Sequence, residues 1–412
     1  MEERWQQESD LVRTMNEVRA RMAAAPIGVG GDGQEGAGGA GSGQPLEAAN
    51  GSEAGRELAR LQDEIAALQG DAPLVHAGVN PGVVAQVVSD WTGIPVGNLI
   101  KDEAAILLDL ERRLQLTLRG QSEAIAEVAD ILRSAKAGMG NPEAPIATFV
   151  FVGPSGVGKT EMAREVARHL FGGDRFLTTI NMSEYQEAHT VSQLKGSPPG
   201  YVGYGEGGIL TEAVRRKPYS VVLLDEVEKA HSDVHEIFFQ VFDKGIMEDG
   251  EGRLIDFKNT LILLTTNVGS DLIMNMCKDP ELMPSPEGIA KALREPLLKV
   301  FPAALLGRIV TIPYYPLSDD MVANICRLQL GRIEKRIANN HKLPFVFDDA
   351  VVKLIVDRCT ELESGGRMID AILTNTLLPS ISREMLNRMM AGSAIAKVRV
   401  GVENGEFSYN FD

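Results

Sequence analysis

The sequence predicts an α/β chain: a three-layer domain on a parallel sheet, then a small, mostly helical domain ending in a β-hairpin. Three observations carry this. Apolar runs of strand length at Thr148–Val152, Leu177–Ile180, Val221–Leu224, Leu261–Thr265 and Ile309–Ile312 alternate with helical patterns such as Glu161–Leu170 and Val234–Phe242. Apolar strands alternating with helices belong in a parallel sheet covered on both faces. After Pro316 the alternation stops, and helical patterns run through Met321–Ala338, Asp349–Thr360 and Arg367–Met390. The tail alternates as Val398, Val400, Val402, turns at Asn404-Gly405, and alternates again as Phe407, Tyr409, Phe411, the pattern of a hairpin with a two-residue loop.

Ahead of the sheet domain, Trp5, Val12, Met15, Val18 and Met22 recur at helical spacing, as do Leu58, Leu61, Ile65 and Leu68. These stripes need a partner, either each other or something outside this chain. Between them, Gly28–Pro45 is glycine, alanine, serine and glutamine, too polar to bury a core, and reads as a flexible linker. The expected division is therefore 1–78 helical segment and linker, 79–316 large α/β domain, and 317–412 small C-terminal domain.

Of the 412 residues, 44% are hydrophobic and 24% charged, ordinary for a globular protein. The net charge of −16 repels phosphate backbones, and the densest basic run is only Arg215-Arg216-Lys217, so no nucleic-acid partner is expected. Cys277, Cys326 and Cys359 lie far apart, which argues against a disulfide framework or a zinc site. The start Met-Glu-Glu-Arg has no apolar core behind it, and no stretch approaches the roughly 20 apolar residues that span a bilayer. A cytoplasmic protein with no membrane partner is the expectation.

Gly153, Pro154, Ser155, Gly156, Val157, Gly158, Lys159 and Thr160 match GxxxxGK[ST], with an apolar strand before and a helical run after. Glycines let backbone N–H groups turn around phosphates at a helix N-terminus; Lys159 then reaches the β/γ phosphates of ATP and Thr160 ligates Mg²⁺. Val221–Leu224 leads into Asp225-Glu226. Carboxylates at the C-terminal end of a parallel strand face the ligand, so Asp225 is expected to hold Mg²⁺ and Glu226 to act as the general base on water. Asn267, at the tip of the next long strand, can donate and accept at once.

Two further patterns are set aside. His231 and His235 lie four apart on one helical face, but no third metal ligand accompanies them, and the pair reads as polar side chains facing solvent. Met385, Met389 and Met390 read as core filler.

With these motifs, from Val79 to the end, the chain resembles the Clp/Hsp100 AAA+ proteins, in particular their second ATPase ring. Trp91-Thr-Gly-Ile-Pro95, Asn181-Met-Ser-Glu184, the run from Gly196 to Gly208 and Asp225-Glu226-Val-Glu-Lys-Ala-His231 look like the family. The resemblance implies that Leu118 and Gln121 pack around the adenine. It also implies that Asn267 orients the lytic water and that Arg308 is an arginine finger reaching the neighbouring subunit's nucleotide. Arg367, in Gly365-Gly366-Arg367, becomes a second sensor of the γ-phosphate. Tyr201 and Val202, in Gly200-Tyr201-Val202-Gly203, become the substrate grip lining an axial pore; residue chemistry alone leaves open a tyrosine that merely packs on the surface. Lys244–Arg253 suits a second exposed pore loop. Around Arg308 the family's Asn-Arg-Ile-Asp is replaced by Leu306-Gly307-Arg308-Ile309-Val310.

Phe238–Phe242, Cys277–Glu281 and Phe301–Gly307 leading into Tyr314-Tyr315-Pro316 resemble the ClpV type of bacterial type VI secretion. The resemblance implies a homohexameric, ATP-driven unfoldase that threads polypeptide, with contracted sheath proteins as substrate. Two alternatives stand beside it: a general ClpB-like disaggregase, and an ATP-gated assembly scaffold that threads nothing. A single phosphate loop leads to the expectation of a fragment that begins inside the helical middle insertion.

Overall fold

The structure is a computed structural model that describes residues 2–24, 53–69, 74–79, 81–92, 99–200, 205, 207–279, 282–360, 366–391 and 395–411. The chain divides into two compact units, Met1–Asp90 with Val96–Asn98, and Trp91–Pro95 with Leu99–Asp412. The glycine-rich linker lies outside the described residues.

In the first unit, helices Glu2–Ala24 and Glu53–Gln69 pack on each other. Val12, Met15 and Ile65 form the seam, with Leu58 and Leu61 beside it, so the two stripes are one another's partner. Trp5, counted in the stripe from its spacing, stays about half exposed at 49%. Glu8 is fully buried, and its carboxylate accepts from Arg4 Nε at 2.8 Å and from the N–H groups of Leu74 and Val75 at 2.7 and 3.0 Å.

The second unit is built on β1 (Ala147–Val152), β2 (Leu177–Asn181), β3 (Ser220–Asp225), β4 (Ile246–Glu248), β5 (Leu254–Asp256), β6 (Thr260–Thr266), β7 (Val310–Pro313), β8 (Phe345–Phe347), β9 (Val398–Glu403) and β10 (Glu406–Phe411). The main sheet runs β2-β3-β6-β1-β7, all parallel. Every residue of β1 and β6 is buried, as apolar strands covered on both faces require. Alternate residues feed two cores: Val150, Val222 and Ile262 with Phe238 and Phe242 on one face, Phe149, Leu223 and Leu263 with Val128 and Met162 on the other. Three layers result.

Helices Asp319–His341 and Asp349–Thr360, and a helical path from Gly366 to Met390 with a wider turn at Leu373–Leu377, form a separate core around Leu330, Ile355, Ile369 and Leu377. β9 and β10 make the hairpin, and β8 joins β9 in parallel. Asn404 and Gly405 take φ of 52° and 79°, the left-handed pair that a two-residue loop needs to match the twist of its strands.

Some expectations change. Met385 is buried, but Met390 is 89% exposed and fills no core. The segment Lys244–Arg253 is only in part a loop: Ile246–Glu248 pairs as β4 with β5. The turn beyond it is held by Asp249, whose carboxylate accepts the N–H groups of Glu251 and Arg253 at 2.9 Å each.

Candidate functional site

The sheet order sets the site. β1, β3 and β6 are adjacent, so the loop after β1, the carboxylates ending β3 and the amide ending β6 meet at one carboxyl edge. The phosphate-loop candidate turns from β1 into helix Lys159–Leu170. Gly156 and Gly158 have φ of 79° and 102°, which a side chain would strain. At Gly153 a Cβ would lie 2.8 Å from the carbonyl oxygen of Tyr314, so the strand exit tolerates only glycine without a shift.

Lys159 is buried at 8% exposure. Its Nζ donates to the carbonyls of Gly153 and Pro154 (2.8 Å to the latter) and to Asn267 Oδ1 at 2.8 Å. Burial pushes the ammonium down from its ordinary value to about 8, against the pull of Glu228 and Asp225. Thr160 Oγ1 sits 3.5 Å from Asp225 Oδ1. These are hard oxygen donors side by side at the mouth of a helix, a set that fits Mg²⁺.

Thr265, from the neighbouring strand, donates its hydroxyl to Asp225 and accepts the Glu226 N–H at 3.0 Å. Glu226 itself has φ 58°, a left-handed conformation costly for glutamate and held by the strand end around it. Lys229 Nζ lies 2.6 Å from its Oε2.

A cleft of about 610 Å³ joins these groups. Ser155–Thr160, Leu118, Gln121, Asp225, Glu226, Asn267 and Arg367 all border it, and Arg332 and Asp370 close it from the helical domain. The closure includes a direct bond: Gly366 N–H donates to the Gly156 carbonyl at 3.1 Å. Gly153 and Pro154 stand behind the cleft, contributing the carbonyls that hold Lys159.

Gln121 borders the cleft with both ends of its amide already engaged by the Tyr315 backbone, at 2.9 and 3.2 Å. The Gln121 amide is therefore spent within the fold, and the side chain offers the cleft its flank. Arg308 does not border the cleft. Its Nε pairs with Asp243 at 2.8 Å, it donates to Ala304 O at 2.8 Å, and the guanidinium lies 4.4 Å from the centre of the Phe239 ring. Tyr201, Val202 and Gly365 lie outside the described residues. Thr265, Glu228 and Arg332 were missed from sequence. Thr265 had a signal, a hydroxyl two residues before Asn267 at the end of a largely apolar strand; Glu228 stood in the family-like run Asp225–His231 without a role of its own, and Arg332 had no signal.

His235 is buried rather than a surface group, its Nε2 3.2 Å from Val227 O and its ring 5.2 Å from that of Phe301. Among the described residues no three or more histidine, cysteine, aspartate and glutamate side chains converge on a metal position, and all three cysteines are unpaired. No helix there is long and apolar enough to cross a membrane.

Residues 144–312 match the family model of the AAA domain (Cdc48 subfamily), and residues 317–400 match that of the C-terminal, D2-small domain of ClpB protein. The chain is 59% identical over 412 residues to the AAA+ ATPase ClpV1 of Pseudomonas aeruginosa, covering 100% of this chain and 45% of that protein. It is 54% identical over 331 residues to the chaperone protein ClpB of Yersinia enterocolitica, covering 80% of this chain and 37% of the relative. The chain thus spans less than half the length of these curated relatives. Among solved structures, the closed state of Hsp104 with ATPγS and FITC casein superposes with a TM-score of 0.70 at 31% identity, over 81% of this chain and 56% of that one.

Proposed function

The chain belongs to the Clp family of AAA+ ATPases, and on that premise we propose that it is the second ATPase ring of a hexameric motor that unfolds and threads polypeptide. In this reading residues 79–316 are the large ATPase domain and 317–412 the small one, with 1–78 preceding them. The observation that carries it is the meeting of Lys159, Thr160, Asp225, Glu226 and Asn267 at one sheet edge, with Arg367 entering from the helical domain.

The chemistry follows from the residues. The glycine cradle from Gly153 to Gly158 and Lys159 bind and orient the triphosphate of ATP. Thr160 and Asp225 would hold Mg²⁺, which when bound would supply positive charge against the triphosphate. Glu226 takes the proton of the attacking water, Asn267 positions that water, and Arg367 stabilises the γ-phosphoryl group as it leaves to give ADP and phosphate. Leu118 and the flank of Gln121 cover the adenine. Glu226→Gln is expected to retain nucleotide binding and to lower turnover by on the order of a thousandfold. Unchanged ATP hydrolysis by that variant would remove the mechanism.

Tyr201 and Val202 are proposed as the grip on substrate. Tyr201→Ala should abolish unfolding of a tagged polypeptide while ATP turnover persists; an assembly scaffold would be indifferent to the change. Contracted type VI sheath is the favoured substrate, because the chain matches ClpV1 along its whole length at 59% identity. The 54% identity to a ClpB keeps general disaggregation as a second reading. Full-length protein assayed on sheath tubules and on heat-aggregated clients separates the two. The site of action is proposed to be the cytoplasm.

A further inference from the structure

Glu228 stands beside the cleft without a part in the chemistry described above. It lies in the short turn Val227–Lys229 that follows Asp225-Glu226. Its Oε1 accepts the main-chain N–H of Asn267 at 3.2 Å. Its Oε2 is shut away from solvent, with no hydrogen-bond partner among the described residues. A buried polar atom left without a partner is costly, and an apolar side chain in this turn would avoid that cost. The carboxylate therefore points to a task that needs the acceptor.

Asn267 is that task. Its carbonyl oxygen accepts from the N–H and hydroxyl of Ser270 at 3.1 and 2.6 Å. Its side-chain Oδ1 accepts from Lys159 at 2.8 Å. An ammonium has only donors, so this contact commits the amide oxygen to the lysine and leaves Nδ2 free to donate into the cleft that Asn267 borders. The residue is thus held at its N–H by Glu228, at its C=O by Ser270, and at its side chain by Lys159.

We propose that Glu228 is a positioning residue for hydrolysis, fixing through the Asn267 main chain the point from which that amide meets the attacking water. The inference rests on the ATPase reading of the cleft. Glu228 is not among the residues that border the cleft, and its hydrogen bond reaches the chemistry through Asn267. Small displacements of such a group are expensive to rate, because the barrier depends on reacting atoms held to fractions of an ångström.

The test is steady-state ATP turnover and nucleotide affinity of the full-length assembly. Glu228→Ala should lower kcat by about ten- to a hundredfold and leave the nucleotide dissociation constant within about twofold. Glu228→Gln keeps an acceptor for the Asn267 N–H and should recover most of the turnover. In an Asn267→Ala background, Glu228→Ala should add no further loss, since the group it positions is gone. Normal turnover in Glu228→Ala overturns the inference alone. So does a loss that multiplies with that of Asn267→Ala, a fall in affinity matching the fall in rate, or failure of Glu228→Gln to recover turnover. A wild-type assembly that does not hydrolyse ATP overturns the ATPase reading and takes this inference with it.

Discussion

His235 shows how far one side chain's surroundings can depart from its spacing. A histidine four residues from another on one helical face reads as a solvent-facing pair, yet the fold buries it against Phe301 and the Val227 carbonyl. Burial lowers its pKa from the ordinary 6.5, with the Val227 contact opposing and nearby His231 adding to the fall. The sign follows from linkage: below pH 6.5 the unfolded chain takes up a proton that the folded ring resists. Stability is thus full above that value and declines as pH drops toward the folded pKa, by about 1.4 kcal/mol for each unit over which the ring stays neutral. Thermal melts of the wild type and His235→Gln between neutral and mildly acidic pH should show the shallower decline in the variant. Equal slopes would place the acid sensitivity elsewhere.

Among the elements, the helix that opens at Gly366 ties the helical domain to the phosphate loop through one backbone bond to Gly156. A Cβ at position 366 would lie 2.9 Å from the Gly156 carbonyl oxygen, too close without a shift. Arg332 to Glu161, at 3.7 Å, is a second and weaker strut across the same gap. Gly366→Ala is therefore expected to push the helix off the loop and move Arg367 with it. Loss of one net hydrogen bond corresponds to up to about tenfold in ATP affinity. Titration with a fluorescent ATP analogue reads this directly, and wild-type affinity in Gly366→Ala would mean that the loop yields without consequence.

For the whole molecule, the question is what Arg308 does. Within its own chain it is occupied by Asp243, Ala304 and the face of Phe239. Half-exposed ion pairs and cation–π contacts of this kind contribute only about 1 kcal/mol or less. If the guanidinium instead completes a neighbour's site in the ring, Arg308→Ala should barely move the melting temperature of the isolated chain. It should lower ATP turnover of the assembly by about a thousandfold or more. Equal turnover by wild-type and Arg308→Ala assemblies would confine this arginine to its perch on Phe239.

The sheet strands, the helices around them and the closing hairpin were legible because each is a local matter. Apolar period, glycine at left-handed positions and carboxylates at a strand end act within a few residues, so Thr148–Val152 or Asn404-Gly405 could be placed without knowing their neighbours. The glycine cradle and Asp225-Glu226 were legible for the same reason. Tertiary structure alone decided the order β2-β3-β6-β1-β7, which sets Asn267 beside Lys159 across 108 residues of chain. It also decided that Glu228 tethers Asn267, that His235 is buried against Phe301, and that Gln121 spends its amide on Tyr315. Each of these depends on a partner far away in sequence. Spacing along the chain says which groups are available; only packing brings two of them within 3 Å or so, where hydrogen bonds and desolvation act.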